Sequence, residues 1–461
     1  MQAYDVVVLG AGTGGYSAAL RSAQLGLHTA IVERDERLGG TCLLRGCIPS
    51  KALLESADVM DHVNRSEEWG IKASGEPDWP GVLAFQRKVV DKLVNGVTGL
   101  VKARKIDVVK GTGKLAGPGT VAVEGDAGSN SLTAKHVVLA TGSAPKLLPG
   151  MEVTERIITS DQALFRDAIP ASAVVIGAGA VGVEFASMYR SFGAEVTVIE
   201  ALPNLVPLED EEISKELGRA FRKRGIAWHT DAKVEEVKET GDAVEVTFQT
   251  NGKAETVSAE VCLVAVGRGP VSEGFGFEEA GVELDRGYVK TNEHLQTAAE
   301  NVWAVGDVIP TLQLAHVSFA EGIGVAERIA GQDVPAIDYA GTPRVTFSRP
   351  EVASVGLTEA QARERGSELK VTKFSMQGLG KANILGEGGT VKVLAEEDGA
   401  VLGIHMIGPR VTDLIAEGML ITNWEALPID VANLIHPHPT LSEAIGEAHL
   451  SLAGKPLNAG H

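Results

Sequence analysis

The sequence predicts an α/β chain: two parallel-sheet units of one design, followed by an α+β region of alternating strands. Three observations predict it. Two stretches repeat a strand, a glycine-spaced turn, a helix and a second strand with the same internal spacing. The first strand of each repeat is a short aliphatic run, VVVL at 6–9 and AVVI at 173–176, as buried strands are. From Thr342 onward, TPRVTFSRPEVASVG begins a run of alternating strands.

Composition bounds the partners. At 461 residues the length suggests about three domains. A formal charge of −19, with 44% hydrophobic and 22% charged residues, describes an ordinary soluble globular chain. That charge argues against nucleic acid or an anionic membrane surface as partner. No apolar run approaches the roughly 18 residues of a membrane span. The opening MQAYDVVVLG runs straight into a strand, without a basic n-region or small-residue cleavage site, so a cytoplasmic location is expected.

The first repeat leads through Gly10-x-Gly12-x-x-Gly15 and a helical stretch to Gly26, then a strand ending at Glu33. The second leads through Gly177-x-Gly179-x-x-Gly182 and a helical stretch to Gly193, then a strand ending at Glu200. First glycine and acid are 23 positions apart in both copies. The spacing has a dinucleotide chemistry. The first glycine permits the tight turn, the second lets backbone approach a pyrophosphate, and the third lets helix and strand pack closely. The helix N-terminus offers N–H groups to phosphates, and the acid accepts hydrogen bonds from a ribose diol. Glu200, followed by Ala201-Leu202-Pro203 with no nearby arginine, favours NAD over NADP. Two dinucleotides in one chain suggest a relay.

Between the repeats, GGTCLLRGCIPSK (39–51) holds Cys42 and Cys47, two of the chain's three cysteines. The residues alone leave four readings: small buried residues, half of a metal site, a staple, or a redox couple. In the cytosol structural disulfides are rare, and zinc would normally need four nitrogen or sulfur ligands. Cys262, inside VCLVAVG, reads as a small core residue. Pro49 and Lys51 fall in the first turn of a helix continuing as KALLESADVMDHV. GEPDWPG (75–81) reads as a connecting loop, GPGTVAVEGDAGSN (117–130) as part of a hairpin, and the tail GKPLNAGH as loose, with no apolar anchor.

Taken with LATGSAP (139–145), VGRGP (266–270), AVGDV (304–308) and HPHPTLSEA (436–444), these motifs resemble the flavin-dependent pyridine nucleotide–disulfide oxidoreductases in order and spacing. The branch most resembled oxidises dihydrolipoyl groups with NAD⁺, and the likeness spans nearly the whole chain. It implies an FAD domain (1–145), an inserted NAD domain (146–270), a central segment completing the FAD domain (271–343) and a dimerisation domain (344–461). FAD and NAD would be the cofactors, with no metal. Cys42 would exchange with substrate and Cys47 face the flavin. A bond between them requires a bend, because five helical steps rise about 7.5 Å and a disulfide tolerates Cα separations of roughly 4.4–6.8 Å; Gly46 is placed to allow it.

The resemblance also places Thr41, Thr141, Gly142, Asp307 and Ala315 at the flavin, and Lys51 near it, paired with Glu184. Gly267 and Arg268 would lie by the nicotinamide. His438, oriented by Glu443, would serve as base toward the cysteines of the other subunit, so a homodimer shares each site. The implied partners are the lipoyl domains and the subunit-binding domain of 2-oxo acid dehydrogenase complexes. Two departures stand out: Leu44-Arg45 where the family often has Asn-Val, and Gly269-Pro270-Val271 for the commoner Arg-Pro-Asn. Rival readings are an NAD(P)H-dependent reductase of a small disulfide such as glutathione or mycothione, against which Glu200 argues, and a non-catalytic flavoprotein subunit. A mercury-reducing relative would need a second cysteine pair, which the C-terminal region lacks.

Overall fold

The structure is a computed structural model and describes residues 2–117, 119–126 and 128–458. The chain forms two compact units. One comprises Met1–Ala52, Pro80–Lys146 and Gly267–Tyr339; the other comprises Leu53–Trp79, Leu147–Val266 and Ala340–His461.

The first unit is built on β1 (Gln2–Leu9), β2 (Thr29–Glu33), β3 (Asp107–Lys110), β4 (Thr112–Gly117), β5 (Thr120–Gly125) and β6 (Gly128–Leu139). They lie in the order β3-β2-β1-β6-β5-β4, and the strand Val302–Ala304 also pairs with β6. β1, β2, β3, β6 and Val302–Ala304 run parallel, whereas β4, β5 and the first part of β6 form an antiparallel meander. That meander is the expected hairpin; Pro118 and Ala127 of its sequence lie outside the described residues. Val6, Val7, Val8 and Leu9 are buried, which is why this strand reads as an unbroken aliphatic run. Helix α1 (Thr13–Gln24) crosses the helix Ala315–Ile329 closely. A Cβ on Gly322 would lie 2.3 Å from the Gly14 carbonyl oxygen, so only glycine permits this approach.

The second unit repeats the design. Its parallel sheet runs Ile226–His229, Glu195–Ile199, Ser172–Ile176, Val261–Val264 and Ile157–Ile158, with an antiparallel meander over Lys233–Thr240, Ala243–Thr250 and Lys253–Ala259. Cys262 packs in this core with Val174, Ile176 and Phe248, and burial pushes its thiol up to about 12. The unit also contains a five-stranded antiparallel sheet in the order Arg344–Thr346, Glu351–Gly356, Val401–Gly408, Thr390–Glu396 and Leu369–Ser375. Residues of the helices Val411–Asn423 and Glu443–Leu452 share that sheet's apolar core.

Two expectations need correction. The connecting loop ends earlier than its proline and glycine suggest, because Trp79 opens a helix, Trp79–Ala103, and its indole N–H donates to the Arg166 carbonyl at 2.9 Å. Proline fits a first helical turn, where its missing N–H costs nothing. The tail is anchored at its last described residue: the Asn458 backbone and side-chain N–H groups donate to Glu447 at 3.0 and 2.8 Å. Residues 459–461 lie outside the described residues. Among the described residues no helix is long and apolar enough to cross a membrane.

Candidate active site

The two glycine turns are copies at atomic detail. Gly10 and Gly177 have φ of +104° and +100°, and a Cβ on either would meet a backbone carbonyl oxygen at 2.3 or 2.4 Å. A Cβ on Gly15 or Gly182 would lie 1.9 Å from the oxygen of the turn's first glycine. By contrast, a Cβ on Gly12 or Gly179 would project into open space at the start of its helix. Such a space, facing the first N–H groups of a helix, suits a pyrophosphate, so these residues fit the dinucleotides that the motifs imply. The buried Glu33 carboxylate accepts from Ala11 N–H at 2.7 Å and Asp35 N–H at 2.8 Å. Glu200 does the same with Ala178 at 2.6 Å and Leu202 at 2.8 Å. Burial pushes Glu33 above the usual carboxylate range despite these bonds.

The cysteine segment is docked on the first of these turns. Gly39 N–H donates to Ala11 O at 2.9 Å, and a Cβ on Gly40, whose φ is +56°, would lie 2.5 Å from Gly12 Cα. Helix α2 (Gly40–Arg45) carries Cys42 and ends at Gly46; α3 (Cys47–Asn64) begins at the second cysteine. The bend therefore falls at Gly46, where a Cβ would meet the Thr41 carbonyl at 2.9 Å. Lys51 is the fifth residue of α3 and so lies in its second turn, not its first, because the helix starts two residues before Pro49. Leu43 packs on Val90 and Val94, with Leu44 and Ile48 beside them. Arg45 binds the Asp35 carboxylate, so Leu44 and Arg45, which stand where the family often has Asn-Val, both serve to seat the segment.

Cys42 and Cys47 are both thiols, and their side chains are hydrogen-bonded. The bond to Cys47, burial and the charge on Cys47 hold the Cys42 thiol far above its usual range, while Lys51 opposes this. Cys47 opens α3, and a helix N-terminus stabilises a thiolate. The sequence reading missed Tyr16, which is buried on α1 beside both cysteines; burial and their charge push its hydroxyl up.

A second cluster assembles the smaller motifs. Ser143 Oγ donates to Asp307 at 2.5 Å, and Arg268 donates to Ser143 Oγ at 2.7 Å and to its carbonyl at 2.8 Å. Arg268 thus lies in the first unit with Asp307, on a strand, Arg268–Pro270, paired with Ser143–Pro145. Thr141 Oγ1 donates to Val271 O at 2.6 Å, Gly142 and Gly267 have φ of +75° and +106°, and Ala315 opens a fifteen-residue helix. Glu321, on that helix and fully buried, accepts from Gly306 N–H at 2.6 Å, Thr311 at 2.9 Å and Tyr339 at 3.0 Å. It anchors the turn carrying Asp307. Its only sequence signal was an acid set among apolar and small residues in the middle of a helical run.

Glu184, Glu200 and His438 belong to the second unit. Glu184 is buried and accepts from Phe347 N–H at 2.9 Å. His438 stands 75% exposed, its Nδ1 2.9 Å from Glu443 Oε1. A carboxylate partner requires Nδ1 to carry the proton, which leaves Nε2 as the basic atom. Burial raises Glu443, but bonds from Thr440 N–H and His438 outweigh it and leave the carboxyl below its usual range. Among the described residues no group of His, Cys, Asp and Glu could hold a metal ion.

A paired thiol seated on a dinucleotide turn, with a second dinucleotide unit in the same chain, defines a class of redox protein. The chain belongs to the pyridine nucleotide–disulphide oxidoreductase family, which matches residues 4–322, and that family's dimerisation domain matches residues 342–449. It is 45% identical to the dihydrolipoyl dehydrogenase of Bacillus subtilis over 99% of both chains. It is 42% identical to that of Rhizobium etli, over 99% of this chain and 100% of the other. Among solved structures, LpdA from Mycobacterium tuberculosis matches with a TM-score of 0.90 at 27% identity, over 98% of this chain and 100% of that one.

Proposed function

We propose that this chain oxidises dihydrolipoyl groups with NAD⁺, using FAD and a Cys42–Cys47 disulfide, as the flavoprotein component of 2-oxo acid dehydrogenase complexes. The observation that carries the reading is the cysteine pair seated on the first dinucleotide turn, in a chain alike over its full length to dihydrolipoyl dehydrogenases. Residues 1–145 and 271–343 form the FAD domain in this reading, 146–270 the NAD domain and 344–461 the dimerisation domain. Gly10, Gly12, Gly15 and Glu33 hold FAD, with Thr41, Lys51, Thr141, Gly142, Asp307 and Ala315. Gly177, Gly179, Gly182 and Glu200 hold NAD, with Glu184 on the helix that this turn opens and Gly267 and Arg268 near the nicotinamide. The protein acts in the cytoplasm as a homodimer that docks lipoyl domains and a subunit-binding domain.

Nε2 of the partner subunit's His438 takes a proton from the substrate dithiol, and Glu443 of the partner subunit stabilises the resulting imidazolium. The substrate thiolate attacks Cys42 Sγ, breaking the Cys42–Cys47 bond and releasing Cys47 as thiolate. The helix N-terminus of α3 and the nearby Lys51 charge favour that leaving group. The second substrate thiol then attacks the mixed disulfide at the substrate sulfur, closing the lipoyl ring and releasing Cys42, which is reprotonated. Two electrons have passed from substrate to the cysteine pair. Bound FAD supplies the acceptor for that electron pair and the hydride for NAD⁺.

Anaerobic turnover of dihydrolipoamide with NAD⁺, and with NADP⁺ as control, tests this. Fast NADH formation that fails with NADP⁺ is expected. No turnover, in an enzyme whose flavin is still reduced by NADH or NADPH, would replace the substrate by a small disulfide.

A further inference from the structure

A second histidine–carboxylate pair stands beside the first. His436, two positions before His438, places Nε2 2.7 Å from Glu417 Oε1, and its side chain is 12% exposed. Glu417 comes from the helix Val411–Asn423. The ring also lies on the helix Glu443–Leu452, where a Cβ on Gly446 would stand 2.6 Å from His436 Nδ1. Wedged between two helices and bonded to one, this ring cannot turn as the exposed His438 can. The charged and titratable groups facing it are Glu417 on one helix and Glu443 and buried His449 on the other. The bond to Glu417 and the nearby Glu443 hold His436 above the usual imidazole range, against burial. Burial pushes His449 below the usual imidazole range, and its Nδ1 lies 2.7 Å from Ile445 O. His436 is in turn among the charges that act on Glu443.

We propose that His436, clamped by Glu417, is a positioning residue that sets the basicity of His438 through the carboxylate both histidines face, Glu443. The proposal rests on the reading of His438 as the base. A cation beside Glu443 takes up part of the field that would otherwise stabilise protonated His438. Without that cation the imidazolium of His438 is favoured, and its base form is lost at a higher pH. A merely structural clamp would instead change the amount of folded enzyme, not the position of its titration.

The test is kcat/KM for dihydrolipoamide across acid and neutral pH, in wild-type holoenzyme, His436→Gln and Glu417→Gln. His436→Gln should move the acid limb to higher pH by about half a unit, which is about threefold in rate on that limb. Glu417→Gln should move it in the same direction but by less, because it weakens the hold on the His436 proton and at the same time removes an anion. It also carries the test if His436→Gln does not fold. NADH oxidation by ferricyanide, which needs no thiol base, reports whether each variant is folded and loaded. Acid limbs at the wild-type position, or a lowered plateau with no limb shift, overturn the proposal. Wild-type enzyme that oxidises no dihydrolipoamide would remove the base step itself, and is told apart because no limb then exists to shift.

Discussion

Glu33 and Glu200 each hold a glycine turn through both oxygens of one buried carboxylate, so each has a structural duty beside its proposed recognition of a ribose. Removing such a carboxylate leaves two backbone N–H groups without acceptors, at about 1–3 kcal/mol each when buried. Glu200→Ala should therefore raise KM for NAD⁺ by about tenfold or more, weaken the preference over NADP⁺, and leave the flavin in place. Unchanged NAD/NADP selectivity, measured by paired kcat/KM values, would contradict the assignment of Glu200. Glu321 is the same kind of residue without a motif. Three donors converge on its carboxylate, and burial pushes its pKa above the usual range. Glu321→Ala should loosen the turn of Asp307, seen as faster loss of FAD on dilution. Wild-type FAD retention in that variant would separate Glu321 from the cofactor.

The joint between the helix Glu211–Lys223 and the strand Thr390–Glu396 shows what elements demand of one another. Lys392 is 1% exposed and its Nζ lies 2.8 Å from Asp210, 3.0 Å from Glu212 and 2.8 Å from Glu359. Burial opposes every charge in this cluster, and the ion pairs win: Asp210, Glu212 and Glu359 sit below their usual ranges and Lys392 above its own. Depressed carboxyl values mean stability that is present above the unfolded pKa and is lost as pH falls through the folded one. Raised Lys392 means stability present below the unfolded lysine value and lost above the folded one. Lys392→Met leaves buried Asp210 without its cation, while Glu212 keeps Lys373 and Glu359 keeps Arg363, and should cost about 3–5 kcal/mol at neutral pH. The deficit should shrink on acidification, when those carboxyls protonate. A denaturation midpoint equal to wild type at neutral pH would refute this account. None of the cluster is legible in the sequence, since Lys392 and Asp210 are 182 positions apart. The repeat is legible because its glycines answer local demands of backbone and phosphate, and the bend at Gly46 because two cysteines on a short segment need one. The start of the helix at Trp79 is not, because proline and glycine serve both loops and first helical turns.

At the scale of the molecule, the exposed His438 is the residue that most needs a second chain. Its Nδ1 is held by Glu443, its side chain is largely exposed, and it lies in the segment that matches the family's dimerisation domain. Cys42 lies in the other compact unit, on the helix Gly40–Arg45 whose start is docked on the first glycine turn. If each site joins the cysteines of one subunit to the histidine of the other, two different inactive chains can complete one site between them. Cys42→Ser supplies a sound His438 and no exchange thiol; His438→Gln supplies sound cysteines and no base. Each homodimer should be inactive. Unfolded together in equal amounts and reassembled with cofactor, the chains should pair at random, giving about half mixed dimers with one working site of two, hence about a quarter of wild-type activity. The yield should follow the fraction of mixed dimers as the mixing ratio is varied. Activity no greater than that of the separate variants, in a preparation shown to contain mixed dimers, would place base and thiols in one subunit. It would then leave the exposure of His438 without a catalytic reason.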